Sequence, residues 1–262
     1  MGSSLAAQMH RIRSCGSKAF IPFLTAGFPD PQRFRVLLSQ TRAADLLEVG
    51  LPFSDPVADG PSICHASEVA LRHGMDAGRL FEILAQETER PPVVLMTYLN
   101  PLLAYGAERF MRDAGRCGVR GVILTDLPPE DGGELFELAA AHDVASVLLV
   151  APTTPEERMQ QIAARTTGFL YCVAVAGTTG ARKQLGSDAR ETIARLRRVT
   201  ALPVVVGFGI STPEHVRETC AFADGAVVGS ALVDLIRQQQ ASEALPQLFA
   251  ARVAALAAAA HE

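Results

Sequence analysis

Unbroken apolar runs recur along the whole chain, separated by stretches whose apolar residues fall at helical spacing. The runs are Ala19–Thr25, Leu46–Gly50, Val93–Tyr98, Gly121–Thr125, Ser146–Ala151, Gly168–Val175, Val204–Gly207 and Gly225–Val228. None alternates apolar with polar, so each predicts a strand buried on both faces of a parallel sheet. Helices are predicted over Pro31–Ala43, Pro101–Arg116, Glu130–Ala141, Pro155–Arg165, Asp188–Val199 and Pro213–Cys220, and an alanine-rich one near Ala250–Ala260. Asp30 before Pro31 is a start signal for the first of these. Ahead of the first strand, Leu5, Met9 and Ile12 mark a short amphipathic N-terminal helix. Eight strands alternating with helices predict an α/β fold, a (β/α)8 TIM barrel with an extra N-terminal helix. An open doubly wound sheet is the alternative. It wants a nucleotide fingerprint, and Gly115-Arg-Cys-Gly118-Val-Arg-Gly121 has the wrong spacing and precedes a strand.

Length and composition narrow this picture. At 262 residues and 48% hydrophobic content the chain suffices for one barrel, read as a single domain over 1–262 without a linker. A net charge of −4 argues against a nucleic-acid face, and Arg11-Ile-Arg13 and Arg195-Leu-Arg-Arg198 read as solvated helix charge. The five cysteines are scattered, with no Cys-x-x-Cys pair, and the six histidines lack metal-ligand spacing. No metal site is expected, and His65 and His73 read as surface helix residues. No run approaches a membrane span, and Met1-Gly-Ser-Ser lacks the apolar core of a secretory leader. A cytoplasmic protein is expected.

One stretch departs from simple alternation. Glu48 sits inside the second apolar run among Leu46, Leu47 and Val49, and a proline-stiffened loop from Leu51 to Pro61 follows, carrying Asp55 and Asp59. A carboxylate among leucines and valine is desolvated, which raises its pKa and lets it hold a proton near neutrality. Asp55 and Asp59, on polar turn sequence, are expected to stay ionised. Carboxylates in contrasting surroundings suit acid/base catalysis. The plainer reading is a strand-end carboxylate and a turn, but the loop exceeds the usual length of about 2–6 residues.

Glycines follow three late strands, at Gly177-Thr-Thr-Gly180, Gly207-Phe-Gly209 and Gly229-Ser230. Singly, each reads as a tight turn. Together they converge at one end of a barrel, where glycine amides and the helix opening at Ser230 predict a phosphate site. Imine catalysis does not fit, because the only lysines are Lys18, at the wrong end of the first strand, and Lys183, on a glycine-flanked loop. Phe23, Tyr98, Ile123, Val150, Tyr171 and Phe208 fall near strand C-termini and would wall an apolar pocket for a flat ligand; each serves equally well as core.

Five motifs in order carry a resemblance: Phe20-Ile-Pro-Phe-Leu-Thr-Ala-Gly27, Leu47-Glu-Val-Gly-Leu-Pro-Phe-Ser-Asp-Pro-Val-Ala-Asp-Gly-Pro61, Leu95-Met-Thr-Tyr-Leu-Asn-Pro101, Thr125-Asp-Leu-Pro-Pro-Glu130 and Gly207-Phe-Gly-Ile-Ser211. Together they resemble the tryptophan synthase α-subunit family over essentially the whole chain. That resemblance implies retro-aldol cleavage of indole-3-glycerol phosphate to indole and glyceraldehyde 3-phosphate. It implies Glu48 as the acid/base and Asp59 as the carboxylate that bonds the indole N–H. Tyr171 lies near the reacting centre, Gly180, Gly209, Gly229 and Ser230 form the phosphate cradle, and Thr179 contacts Asp59 on closure. It further implies no cofactor in this chain, and docking through the loop of Pro52 and Asp55 on a β subunit that carries pyridoxal phosphate, in an α2β2 tetramer. The chain departs from the family at Ala174-Val-Ala176, where a Ser-Arg pair or another hydroxyl residue is common. A weaker lid and altered communication with β are expected from that. The competing expectations are a free-standing lyase that releases indole, and a non-catalytic activator of β. A sugar-phosphate isomerase or an indole-glycerol-phosphate synthase fits less well.

Overall fold

The computed structural model describes residues 4–173, 182–207 and 209–262; for 182–187 it describes the backbone alone. The strands are β1 (Ala19–Thr25), β2 (Leu47–Gly50), β3 (Val93–Thr97), β4 (Val119–Leu124), β5 (Ala145–Ser146), β6 (Leu148–Val150), β7 (Leu170–Val173), β8 (Val204–Gly207) and β9 (Gly225–Val228). All pair in parallel, in the order β5-β4-β3-β2-β1-β9-β8-β7-β6. The predicted run Ser146–Ala151 is split at Val147. β5 pairs with β4 and β6 with β7, while the Val147 N–H still reaches the Val122 carbonyl at 2.9 Å. β5 and β6 are thus two halves of one staggered strand that joins the sheet edges. The result is the expected eight-position barrel.

Helices cover the outside: α1 (Leu5–Ser14), α2 (Pro31–Ser39), α3 (Pro61–Arg72), α4 (Ala77–Gln86), α5 (Leu99–Tyr105), α6 (Ala107–Arg116), α7 (Gly133–Ala141), α8 (Glu156–Arg165), α9 (Arg182–Val199), α10 (Pro213–Cys220), α11 (Ser230–Gln239) and α12 (Leu245–His261). Local chemistry sets their starts. The Asp30 side chain accepts from the Gln32 and Arg33 amides, Asp76 from Arg79 and Thr212 from His215. The single helix predicted over Pro101–Arg116 is two, because Gly106 at φ +94° ends α5 and lets α6 start in a new direction. Among the described residues no helix is long and apolar enough to cross a membrane.

α1 closes the lower end of the barrel. Leu5 and Met9 are buried, and a β-carbon at Gly121 or at Gly168 would lie 2.7 Å from Leu5 Cδ2. Both glycines stand at the N-terminal side of their strands, so Leu5 fills a socket that any larger residue would occupy. Truncation by Leu5→Ala is expected to cost about 2–5 kcal/mol, the range for a buried leucine left as a cavity. Urea unfolding followed by circular dichroism would measure it.

Candidate active site

At the upper end the strand termini bring the chemistry together. β2 carries Glu48 between the buried Leu47 and Val49, opposite Phe23 of β1 and Val94 of β3. Its side chain is 2% exposed, and Oε2 has no hydrogen-bond partner among the described residues. Burial, helped by the negative charge of Asp59, pushes its pKa up to about 8. Glu48 is therefore a neutral acid at pH 7, as its apolar neighbours predict.

Asp59 comes from the loop between β2 and α3, which folds back across the mouth. It is half-buried rather than solvated, so burial raises its pKa while a hydrogen bond from the Tyr98 hydroxyl holds it down. The polar loop that carries it is pinned inward by the Ala58 amide donating to Tyr98 Oη at 3.1 Å.

Tyr171 of β7 is buried near Glu48, and burial together with the Glu48 charge pushes its hydroxyl pKa well above the usual value, so it stays neutral. Its ring lies on Gly207 of β8, where a β-carbon would be 2.0 Å from the hydroxyl oxygen. The Phe23 ring lies on Gly50 in the same way, and Phe23 also borders Gly229. Two strand-end glycines thus act as seats for aromatic rings, a role sequence reading missed. Glycine inside an apolar strand was the available signal, since it marks close approach. Thr25 was missed as well: it ends β1 two residues beyond Phe23, buried, with Oγ1 unpartnered among the described residues.

The other expected residues fall unevenly. Ile123 of β4 is wholly buried and shares the inner face of the barrel with Glu48. The expectation for Val150 is corrected: on β6 it is Leu149 that pairs with the inward-facing Tyr171, so Val150, paired with Cys172, is buried on the helix side of the strand. Gly209, exposed at φ +76°, follows β8, and Gly229 with Ser230 opens α11 directly after β9. Since β8 and β9 are neighbours, these three share one sector of the rim, two to three strands from Glu48. Thr179, Gly180 and Phe208, with Ala174-Val-Ala176, lie outside the described residues. Of the two loop residues expected to face a partner, Asp55 is exposed. Pro52 is buried, its ring forming one wall of a cleft with Leu51, Phe53, Met75 and Tyr105.

A buried acid, a second carboxyl close to it and glycines after two neighbouring strands thus stand at one end of a parallel barrel. A family model described as the tryptophan synthase alpha chain matches residues 9–261. The chain belongs to the tryptophan synthase alpha chain family. It is 44% identical over 246 residues to the tryptophan synthase alpha chain of Roseiflexus sp. (strain RS-1), covering 92% of this chain and 94% of that one. It is 46% identical over 235 residues to that of Gloeobacter violaceus, covering 88% and 85%. Among solved structures, tryptophan synthase subunit alpha from Legionella pneumophila str. Paris superposes with a TM-score of 0.89 at 33% identity, over 99% and 98% of the two chains. The aminoacrylate- and BRD0059-bound tryptophan synthase of M. tuberculosis gives 0.89 at 30% identity, over 100% of each. Tryptophan synthase alpha chains carry out the lyase cleavage of indole-3-glycerol phosphate, and this chain is such an enzyme of tryptophan biosynthesis.

Proposed function

We propose that the cleavage runs on Glu48 as both proton donor and proton acceptor. Protonated Glu48 delivers its proton to C3 of the indole ring, leaving a cationic indolenine. The Asp59 carboxylate accepts a hydrogen bond from the ring N–H and stabilises that cation. The Glu48 carboxylate then takes the proton from the hydroxyl on the glycerol carbon bonded to C3. The carbon–carbon bond breaks, its electron pair restores the aromatic ring, and the hydroxyl carbon becomes the aldehyde of glyceraldehyde 3-phosphate. Glu48 ends protonated, ready for the next turnover. The phosphate is held by the amides of Gly180, Gly209 and Gly229 and by Ser230, with the α11 dipole behind them. Phe23, Tyr98, Ile123, Tyr171 and Phe208 enclose the ring, and Thr179 meets Asp59 on closure. The chain needs no cofactor of its own. It acts in the cytoplasm, docked through the Pro52 and Asp55 loop on a β subunit holding pyridoxal phosphate, as α2β2.

The observation that carries this reading is a carboxylic acid enclosed in the barrel, its pKa pushed up to about 8, with the half-buried Asp59 carboxyl beside it. Indole release from indole-3-glycerol phosphate by the isolated chain, repeated with β subunit, is the test. Release without β that β fails to stimulate favours a free-standing lyase, and no release in either case leaves only an activator.

Loss of the Glu48 proton sets the pH response. In the free chain the donor is present below about pH 8 and absent above it. So kcat/KM is expected to fall about tenfold per pH unit on the alkaline side of that value. The substrate phosphate has its own second ionisation at about 6, well clear of this limb. A profile flat to pH 10 would remove Glu48 as the acid.

A further inference from the structure

Tyr98 makes contacts that an apolar wall has no use for. Its ring packs on Phe53 at 5.1 Å between centroids and 35° between planes, and Oη accepts the Ala58 amide at 3.1 Å. Phe53 and Ala58 bracket the loop tip Ser54 to Val57, most of which is exposed, and Asp59 comes next. With Ala58 donating to the oxygen, the hydroxyl hydrogen is left for the Asp59 carboxylate. Tyr98 itself is 4% exposed, fixed where β3 gives way to α5, with Thr125 beside its hydroxyl. A rigid element thus grips both ends of a proline-bounded loop and the residue after it.

Asp59 needs that grip. A half-buried carboxylate gains solvation by swinging out to water. The groups facing it are Glu48 from β2, which is neutral at pH 7 and offers no countercharge, Cys64 from α3, whose thiol reaches only the Asp59 carbonyl at 3.4 Å, and Tyr98. Only the Tyr98 hydroxyl favours a charged carboxylate at this place among them. We infer that Tyr98 is a positioning residue whose hydroxyl, by holding the Ala58 amide and the Asp59 carboxylate together, fixes Asp59 over the mouth to receive the ring N–H. The catalytic half of this inference rests on the function proposed above; the clamp itself does not.

Tyr98→Phe is the test, because it keeps the ring and its Phe53 contact and deletes one oxygen. Indole release should show kcat down by about 10–100-fold with KM little changed, the scale of a reacting group displaced by an ångström. In the free protein, 13C NMR titration of the Asp59 carboxylate, assigned with Asp59→Asn, should move to higher pH. Exchange of the Ala58 amide should quicken. An unchanged Asp59 titration and unchanged Ala58 exchange would overturn the clamp, even if thermal stability fell. A displaced titration with normal kcat would overturn its role in positioning. If the wild-type chain releases no indole, the catalytic reading fails, while the titration and exchange still decide the clamp.

Discussion

Replacing Glu48 by Gln is expected to abolish indole release by four orders of magnitude or more while a non-cleavable indole phosphate still binds. One side chain serves two proton transfers, and general acid–base help is worth about 10²–10⁴-fold for each. Gln keeps the shape of the neutral acid and can neither give nor take the proton. The same substitution is expected to stabilise the fold, and the sign follows from linkage. In the folded chain the Glu48 pKa is pushed up to about 8 from an ordinary value of 4.5. Folding therefore takes up a proton between those values, and the contribution of Glu48 to stability is full below the lower one and lost as pH rises through the upper one. The gain in Glu48→Gln should be negligible near pH 4 and grow to a few kcal/mol above pH 8. Thermal melts of both proteins across that range measure it without reference to activity. A loss of activity with no pH-dependent gain would mean that Glu48 is not a buried acid held at a cost to stability.

That acid was legible because its environment is written beside it. Leu46, Leu47 and Val49 are sequence neighbours, so desolvation follows from local pattern alone. The barrel was legible for the same reason, since each strand is an unbroken apolar run. What escaped depends on partners far along the chain. The burial of Asp59 could not be read from its polar loop, because the hydroxyl that draws the loop inward belongs to Tyr98, 40 residues beyond Ala58. Tyr98 itself read as an aromatic wall, as any tyrosine at a strand end would. Pro52 looked outward-facing by its place in a loop and is buried in a cleft wall formed with Met75 and Tyr105. Gly106 sat inside a continuous helical pattern, where only its positive φ reveals the break into α5 and α6.

Gly207 carries the second large effect. An alanine β-carbon there would lie 2.0 Å from Tyr171 Oη, 2.4 Å from Cζ and 2.5 Å from Cε1, far inside van der Waals contact. Neither side can yield cheaply. Gly207 is held by pairing with Val173 at the end of the β7–β8 ladder, and Tyr171 is 3% exposed within the barrel. The ring must leave its seat, and the proposed place of the indole ring, next to Glu48, is what it would encroach on. Gly207→Ala should therefore cost about 1–3 kcal/mol of stability, as overpacking does. It should also lower kcat/KM for indole release by about 100-fold or more through displaced substrate. A buried clash of this kind is tested by coupling. Tyr171→Leu removes the atoms that meet the new methyl, so Gly207→Ala in that background should cost far less than in the wild type, a non-additivity of about 0.5–3 kcal/mol. Simple additivity in urea unfolding would show that the tyrosine ring does not rest on Gly207, and the proposed place of the indole ring would have to be redrawn.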